Sequence, residues 1–236
     1  MEPHTQSLAH VSEVLESHHG ATAEMRDPGL TCPRAWPHRR SATMILHRVQ
    51  TRLRRTKAAL RASWWRLIHR GGEAGTGVQV GAGCRLILEP KSRLVLGARC
   101  QVDDATTIAV YGSGVIDLGA GAFVGHHCTL AARTSIEIGP GTHLAELVSV
   151  RDHDHTVGVQ PTSGEMTVHP VVIGADVWIG SKVTVLAGAR IGDGAVVGAN
   201  AVVRGELPAR SVCVGVPARV VRLLDFPGEL ESERSV

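Results

Sequence analysis

Residues 171–205 read VVIGADVWIGSKVTVLAGARIGDGAVVGANAVVRG, and their period is six. Ile173, Ile179, Val185, Ile191, Val197 and Val203 hold the first slot. Four residues on comes a small or β-branched residue: Val177, Val183, Ala189, Ala195, Ala201. Glycine follows the first slot at Gly174, Gly180, Gly192 and Gly198. A period of six is neither the 3.6 of a helix nor the 2 of a simple strand. It fits a chain in which each hexad makes one short strand and a turn, and three hexads close a triangular coil. The aliphatic slot points inward and the small slot fits the corner. Stacked coils then pair backbone to backbone and bury a continuous column.

Working toward the N-terminus, the same period appears with slips at Val80, Leu96, Val102, Leu118, Val124, Leu130, Ile138, Leu144 and Val150. Cys84, Cys100 and Cys128 fall in the small slot, so packing is their expected role. With Cys32 and Cys213 they form no CxxC pair; with no secretory leader in residues 1–25, they read as free thiols of a reducing, cytoplasmic setting. One Tyr, two Phe and four Trp leave a core of aliphatic and small residues, which suits a narrow interior. No run of about 18 apolar residues predicts a membrane-spanning helix.

The expected organisation has four parts. Residues 1–40 are polar, His-rich and broken by prolines, and read as a disordered segment. Residues 41–72 read as a basic amphipathic helix: Ile45, Val49, Leu53, Leu60, Trp64 and Ile68 recur near multiples of a turn, while Arg48, Arg52, Arg55, Arg61 and Arg66 fill other faces. From Pro28 to Gly72 there are eleven Lys or Arg and no acid. Such a helix, over 42–70, fits either an anionic membrane surface or a packing role against protein. Nucleic acid is not an expected partner, since no recognition motif accompanies the charge. Residues 73–216 form the β-helix, and 217–236 a C-terminal tail.

The rhythm breaks at VSVRDHDHTVG, residues 148–158. Transfer of an acyl group to a hydroxyl needs a base, because an alcohol must lose its proton as the new bond forms. An imidazole is suited to take that proton, and a neighbouring carboxylate can orient it. Asp152, His153, Asp154 and His155 offer that chemistry on an excursion from a rigid column.

The DHDH segment, the run PVVIGADVWIGSKVTVLAGARIGDGAVVGANAVV and the tail VGVPARVVR (residues 214–222) together resemble the hexapeptide acyltransferases of the galactoside, maltose and nodulation-factor O-acetyltransferase group. Among them the polysaccharide O-acetyltransferases are the most similar, over about residues 118–222. The resemblance implies a left-handed parallel β-helix, a homotrimer, acetyl-CoA as co-substrate, no metal, and a saccharide or polyol acceptor. It implies a His general base. Counting hexads from Ile138 puts it at His155; counting back from Gly164, Glu165 and Met166 leaves it between His153 and His155. His155 is the first choice, with His153 and Asp154 as orienting or substrate-contacting groups. On the donor side the resemblance implies Trp178, Ser181, Ala199, Arg204, Arg219 and Arg222. The sequence departs from the group's pattern at VGHHC (residues 124–128), at Arg133 and at Gly205, which puts a simple galactoside or maltose acceptor in doubt. The readings set against this one are an N-acetyltransferase, a non-catalytic β-helix assembly module, and a zinc enzyme using His126, His127, His153 and His155.

Overall fold

The computed structural model describes residue 53 and residues 56–61, 72–156 and 165–224. All of them lie in the unit Ile45–Val236. Residues 1–40 and most of the expected basic helix lie outside the described residues. Within 42–70 only Leu53 and 56–61 are described, the latter helical. Here Leu53 and Leu60 point to solvent while Ala58 is buried. The Arg61 Nε–H donates to the Val80 carbonyl oxygen at 2.8 Å. This turn therefore faces the column with its small and basic residues, not with its leucines. No helix among the described residues is long and apolar enough to cross a membrane.

From Gly72 the chain winds as a parallel β-helix with three faces. The first face stacks Gly72–Ala74, Arg93–Leu96, Val115–Leu118, Ser135–Ile138, Val171–Ile173, Arg190–Ile191 and Glu206–Leu207. The second stacks Gln79–Val80, Gln101–Val102, Phe123–Val124, His143–Leu144, Trp178–Ile179, Val196–Val197 and Ser211–Val214. The third stacks Arg85–Leu88, Thr107–Val110, Thr129–Ala132, Ser149–Arg151, Thr184–Val185 and Val202–Val203. Every first-slot residue named above from Val80 to Val203 is buried, as are Cys100, Cys128 and all five small-slot residues from Val177 to Ala201.

The slips have a structural cause. Strict hexads, with paired Cα atoms 18 residues apart, hold only near the C-terminus, as between Trp178 and Val196. Gln101 and Phe123 pair at a spacing of 22, and Phe123 and His143 at 20. The longer coils carry four-residue strands on the first and third faces, where the later ones carry two or three. Pairing of Ile138 with Ile173, 35 residues on, marks the excursion.

At the corners the coils approach closely. A Cβ on Gly139 would lie 2.5 Å from the carbonyl carbon and oxygen of Gly174 in the next coil, which is why glycine follows the first slot at both levels. Gly139→Ala is expected to lower stability by about 1–3 kcal/mol, the scale of overpacking against unyielding neighbours. Urea denaturation checks this, and an unchanged midpoint would mean that the corner can open.

The column ends with Arg219–Leu223, which turns back antiparallel onto Ser211–Val214. The register shifts there by one residue: Val214 faces Arg219, Cys213 faces Val220, and Val212 faces Arg222. Because Cys213 is buried, Val212 and Val214 point outward by alternation. The bulge thus brings Arg219 and Arg222, three residues apart, onto the same outer surface.

Candidate active site

The excursion starts where the third face should turn into the first. In regular coils the N–H groups at this corner donate to the coil above, as Tyr111 N–H does to the Ala132 carbonyl oxygen at 2.8 Å. After Arg151 the chain leaves instead as a hairpin of His153–His155 and Met166–Val168. The amides of Arg133 and Thr134 beneath would be left without carbonyl partners. Asp152 supplies the acceptors. Arg133 N–H donates to its Oδ1 at 2.9 Å and Oδ2 at 3.0 Å, and Thr134 N–H donates to Oδ2 at 2.6 Å. A bond from His169 N–H to the Asp152 carbonyl oxygen, 2.7 Å, closes the neck of the hairpin. Asp152 is fully buried, and its carboxylate completes the ladder that the excursion interrupts.

The same carboxylate holds a histidine. His153 Nδ1 lies 2.9 Å from Asp152 Oδ1. An acceptor carboxylate assigns the proton to Nδ1, so Nε2 carries the lone pair. The His153 side chain is 13% exposed, enough for one ring edge to meet a substrate. Tyr111, the only tyrosine of the sequence, stands edge to face with it at 6.3 Å between ring centroids. The Arg133 guanidinium covers the Tyr111 ring at 5.2 Å.

His155 and Asp154 sit farther along the hairpin and are exposed. Asp154 Oδ1 accepts from the His155 amide at 2.8 Å, a local turn contact. The structure therefore pairs Asp152 with His153 and gives His155 no carboxylate partner for its ring among the described residues. The sequence places Asp152 among the four residues that offer this chemistry but gives it no separate role, and it singles out nothing at Tyr111; the signal for Asp152 is its place directly before a histidine at the break in the rhythm.

The expected donor residues are spread over the column, and only Arg204 among them shares the excursion's corner. Trp178 projects from the second face, 51% exposed. It tops a row of rings, 6.1 Å from His143, which is 5.6 Å from Phe123. Ser181 and Ala199 follow at the corner between the second and third faces. There the Ser181 hydroxyl donates to Glu146 Oε1 at 2.6 Å, and that bond chiefly holds the Glu146 carboxyl below its usual range. Arg204 is exposed at the corner between the third and first faces. Arg219 and Arg222 are exposed on the last strand of the second face. In a triangular column the corner bearing His153 lies opposite the second face, so one chain does not bring Trp178 alongside His153.

Cys100 and Cys128 offer no nucleophile here. Burial pushes the Cys100 thiol up to about 12 and the Cys128 thiol up to about 11, so both stay protonated near neutrality. Among the described residues no group of three or more His, Cys, Asp or Glu could hold a metal ion.

Three stacked parallel faces built on hexads, interrupted by a hairpin with an Asp–His pair at its neck, define a β-helix of the hexapeptide-repeat kind. Residues 170–205 match the family described as bacterial transferase hexapeptide (six repeats). WbbJ of Escherichia coli (strain K12), named for O-acetyl transfer in lipopolysaccharide biosynthesis, is 38% identical over 122 residues, 48% of this chain and 62% of that one. The galactoside O-acetyltransferase of the same strain is 35% identical over 113 residues, 48% of this chain and 55% of that one. The chain thus spans less than two thirds of the curated relatives it matches. Among solved structures, AntD, an N-acyltransferase from Bacillus cereus in complex with dTDP and 3-hydroxybutyryl-CoA, superposes with a TM-score of 0.58 at 19% identity, over 69% of this chain and 88% of that one. That likeness establishes the fold.

Proposed function

We propose that the protein is an acetyl-CoA-dependent O-acetyltransferase acting on a saccharide hydroxyl, with His153 as general base and Asp152 as its orienting partner. The carrying observation is the buried Asp152 carboxylate, which fixes Nδ1–H of His153 and leaves Nε2 as acceptor. In this reading Nε2 takes the hydroxyl proton as the oxygen attacks the thioester carbonyl. The new C–O bond forms, the C–S bond breaks, and the imidazolium returns its proton to the departing sulfur, which leaves as the free thiol. The Asp152 carboxylate stabilises the transient imidazolium. A hydroxyl acceptor is favoured over an amine because WbbJ and the galactoside enzyme are both named for O-acetyl transfer. Thiol release from acetyl-CoA across a panel of saccharides tests the reading. An alkali-labile product supports the ester, an alkali-stable one moves the function to N-acetylation, and no acceptor-stimulated release refutes it.

The position of Trp178 opposite His153 supports a site shared between chains, with the base from one and the donor channel from the next. A ring of three satisfies this with one kind of contact. Arg219 and Arg222, turned to one side by the bulge, suit the phosphate groups of coenzyme A, which guanidinium groups bind in bidentate fashion. Replacing both by alanine is expected to raise the apparent KM for acetyl-CoA by about tenfold or more with kcat at saturation largely kept, because such contacts serve ground and transition states alike. The variant should also cease to distinguish coenzyme A from its dephospho form. A fall in kcat with KM unchanged would move these arginines out of the donor site.

A further inference from the structure

We propose that Arg133 makes the protein selective for acceptors bearing a negative charge, a uronate or a phosphorylated sugar, beside the hydroxyl that reacts. This rests on the acyltransferase reading and narrows its substrate class. Arg133 serves two directions at once. Its backbone N–H helps hold Asp152, and its side chain lies over Tyr111, whose ring meets His153. Guanidinium, phenol ring and imidazole therefore form one chain of contacts, which puts the cation one ring away from His153.

That cation is not neutralised. A ring face attracts a guanidinium without cancelling its charge, and Arg133 has no carboxylate partner among the described residues. Asp152 is buried under backbone N–H groups and His153. Asp154 accepts from the His155 amide, and Glu89 Oε2 accepts from the Gly112 amide at 2.6 Å. Arg151, exposed and one residue before Asp152, adds a second positive charge at the same corner. A planar guanidinium with its outer N–H groups free binds a carboxylate or phosphate through two parallel bonds. A neutral sugar would leave this cation without its best partner, so charge on the acceptor becomes the basis of discrimination.

The test uses matched pairs on the full chain: glucose against glucuronate, galactose against galacturonate, and glucose against glucose 6-phosphate. The readout is the ratio of kcat/KM, anionic over neutral. The expected result is a ratio of about ten or more in at least one pair, collapsing toward one in Arg133→Gln and persisting in Arg133→Lys. Which pair responds tells carboxylate from phosphate. If Arg133 only supports Tyr111 and Asp152, Arg133→Gln lowers both members of each pair together and the ratio stays, which overturns the proposal. Binding gives a second arm: His153 ring resonances are titrated with the same sugars. Equal affinities for charged and neutral members in the wild type overturn it as well. Charge-selective binding lost in Arg133→Gln, without acetyl transfer to any sugar, would sink the acyltransferase reading while leaving the charge selectivity standing.

Discussion

His153→Ala is expected to reduce turnover about a hundredfold or more, the scale on which a positioned general base contributes, while the affinity for acetyl-CoA stays close to wild type. His155→Ala should remain within a few-fold of wild type, because its ring has no orienting carboxylate among the described residues. Asp152→Asn should approach the His153 variant. A carboxamide has one acceptor oxygen, which cannot satisfy the Arg133 and Thr134 amides and still receive Nδ1–H. It would present its own donor to one of them. Steady-state kinetics on the three variants separates these roles. The assignment fails if His155→Ala collapses turnover and His153→Ala does not.

Two crippled chains should rescue one another. In the shared-site reading, with His153 on one side of the column and Trp178 on the other, a working centre takes each from a different chain. His153→Ala destroys the base; Trp178→Glu puts a carboxylate where an anionic thioester donor must pass. Each homomeric variant is expected to be nearly inactive. Co-expressed with different tags and purified through both, they should regain about a third of wild-type activity, since every mixed closed ring of three pairs an intact base with an intact neighbouring face in one of its centres. Mixed particles as inactive as their parents would place the whole centre within a single chain.

Much of this was open to reading in the linear order of residues. The inward slots were, because a period of six leaves one interpretation for Ile173, Ile179 and Val185, and all are buried. The place of the excursion was too, because the period of six breaks at residues 148–158 and the hairpin leaves the column there. Which of His153 and His155 has its ring beside a carboxylate was not. They stand two apart on a strand and so share a face. What separates them is depth: His153 sits at the neck beside Asp152, and counting hexads along the column carries no measure of distance out along a hairpin. Asp152 itself was hidden for a related reason. Its chief partners are backbone amides of Arg133 and Thr134, 19 and 18 residues earlier, which no side-chain motif reports. The helical turn at 56–61 showed the opposite limit. Apolar spacing marks a stripe but not what lies against it, and Leu60 faces solvent while Arg61 reaches the column.

The sealed neck of the hairpin also makes the excursion a detachable cassette. Asp152 closes the broken ladder below, and the His169 amide ties the outgoing and returning strands together at the column wall. A second tie, Thr156 N–H to the Glu165 carbonyl oxygen at 2.9 Å, closes the far end of the strands. Whatever is spliced in beyond that tie joins at ends that are already held, and added length between two fixed ends is thermodynamically inexpensive, at about 0.6 kcal/mol per doubling. A lineage, or a protein engineer, can therefore exchange the tip for another of different length and polarity while the solenoid and the Asp–His pair stay in register. New acceptors would then be acquired by grafting at one address, without re-evolving the scaffold that holds the chemistry.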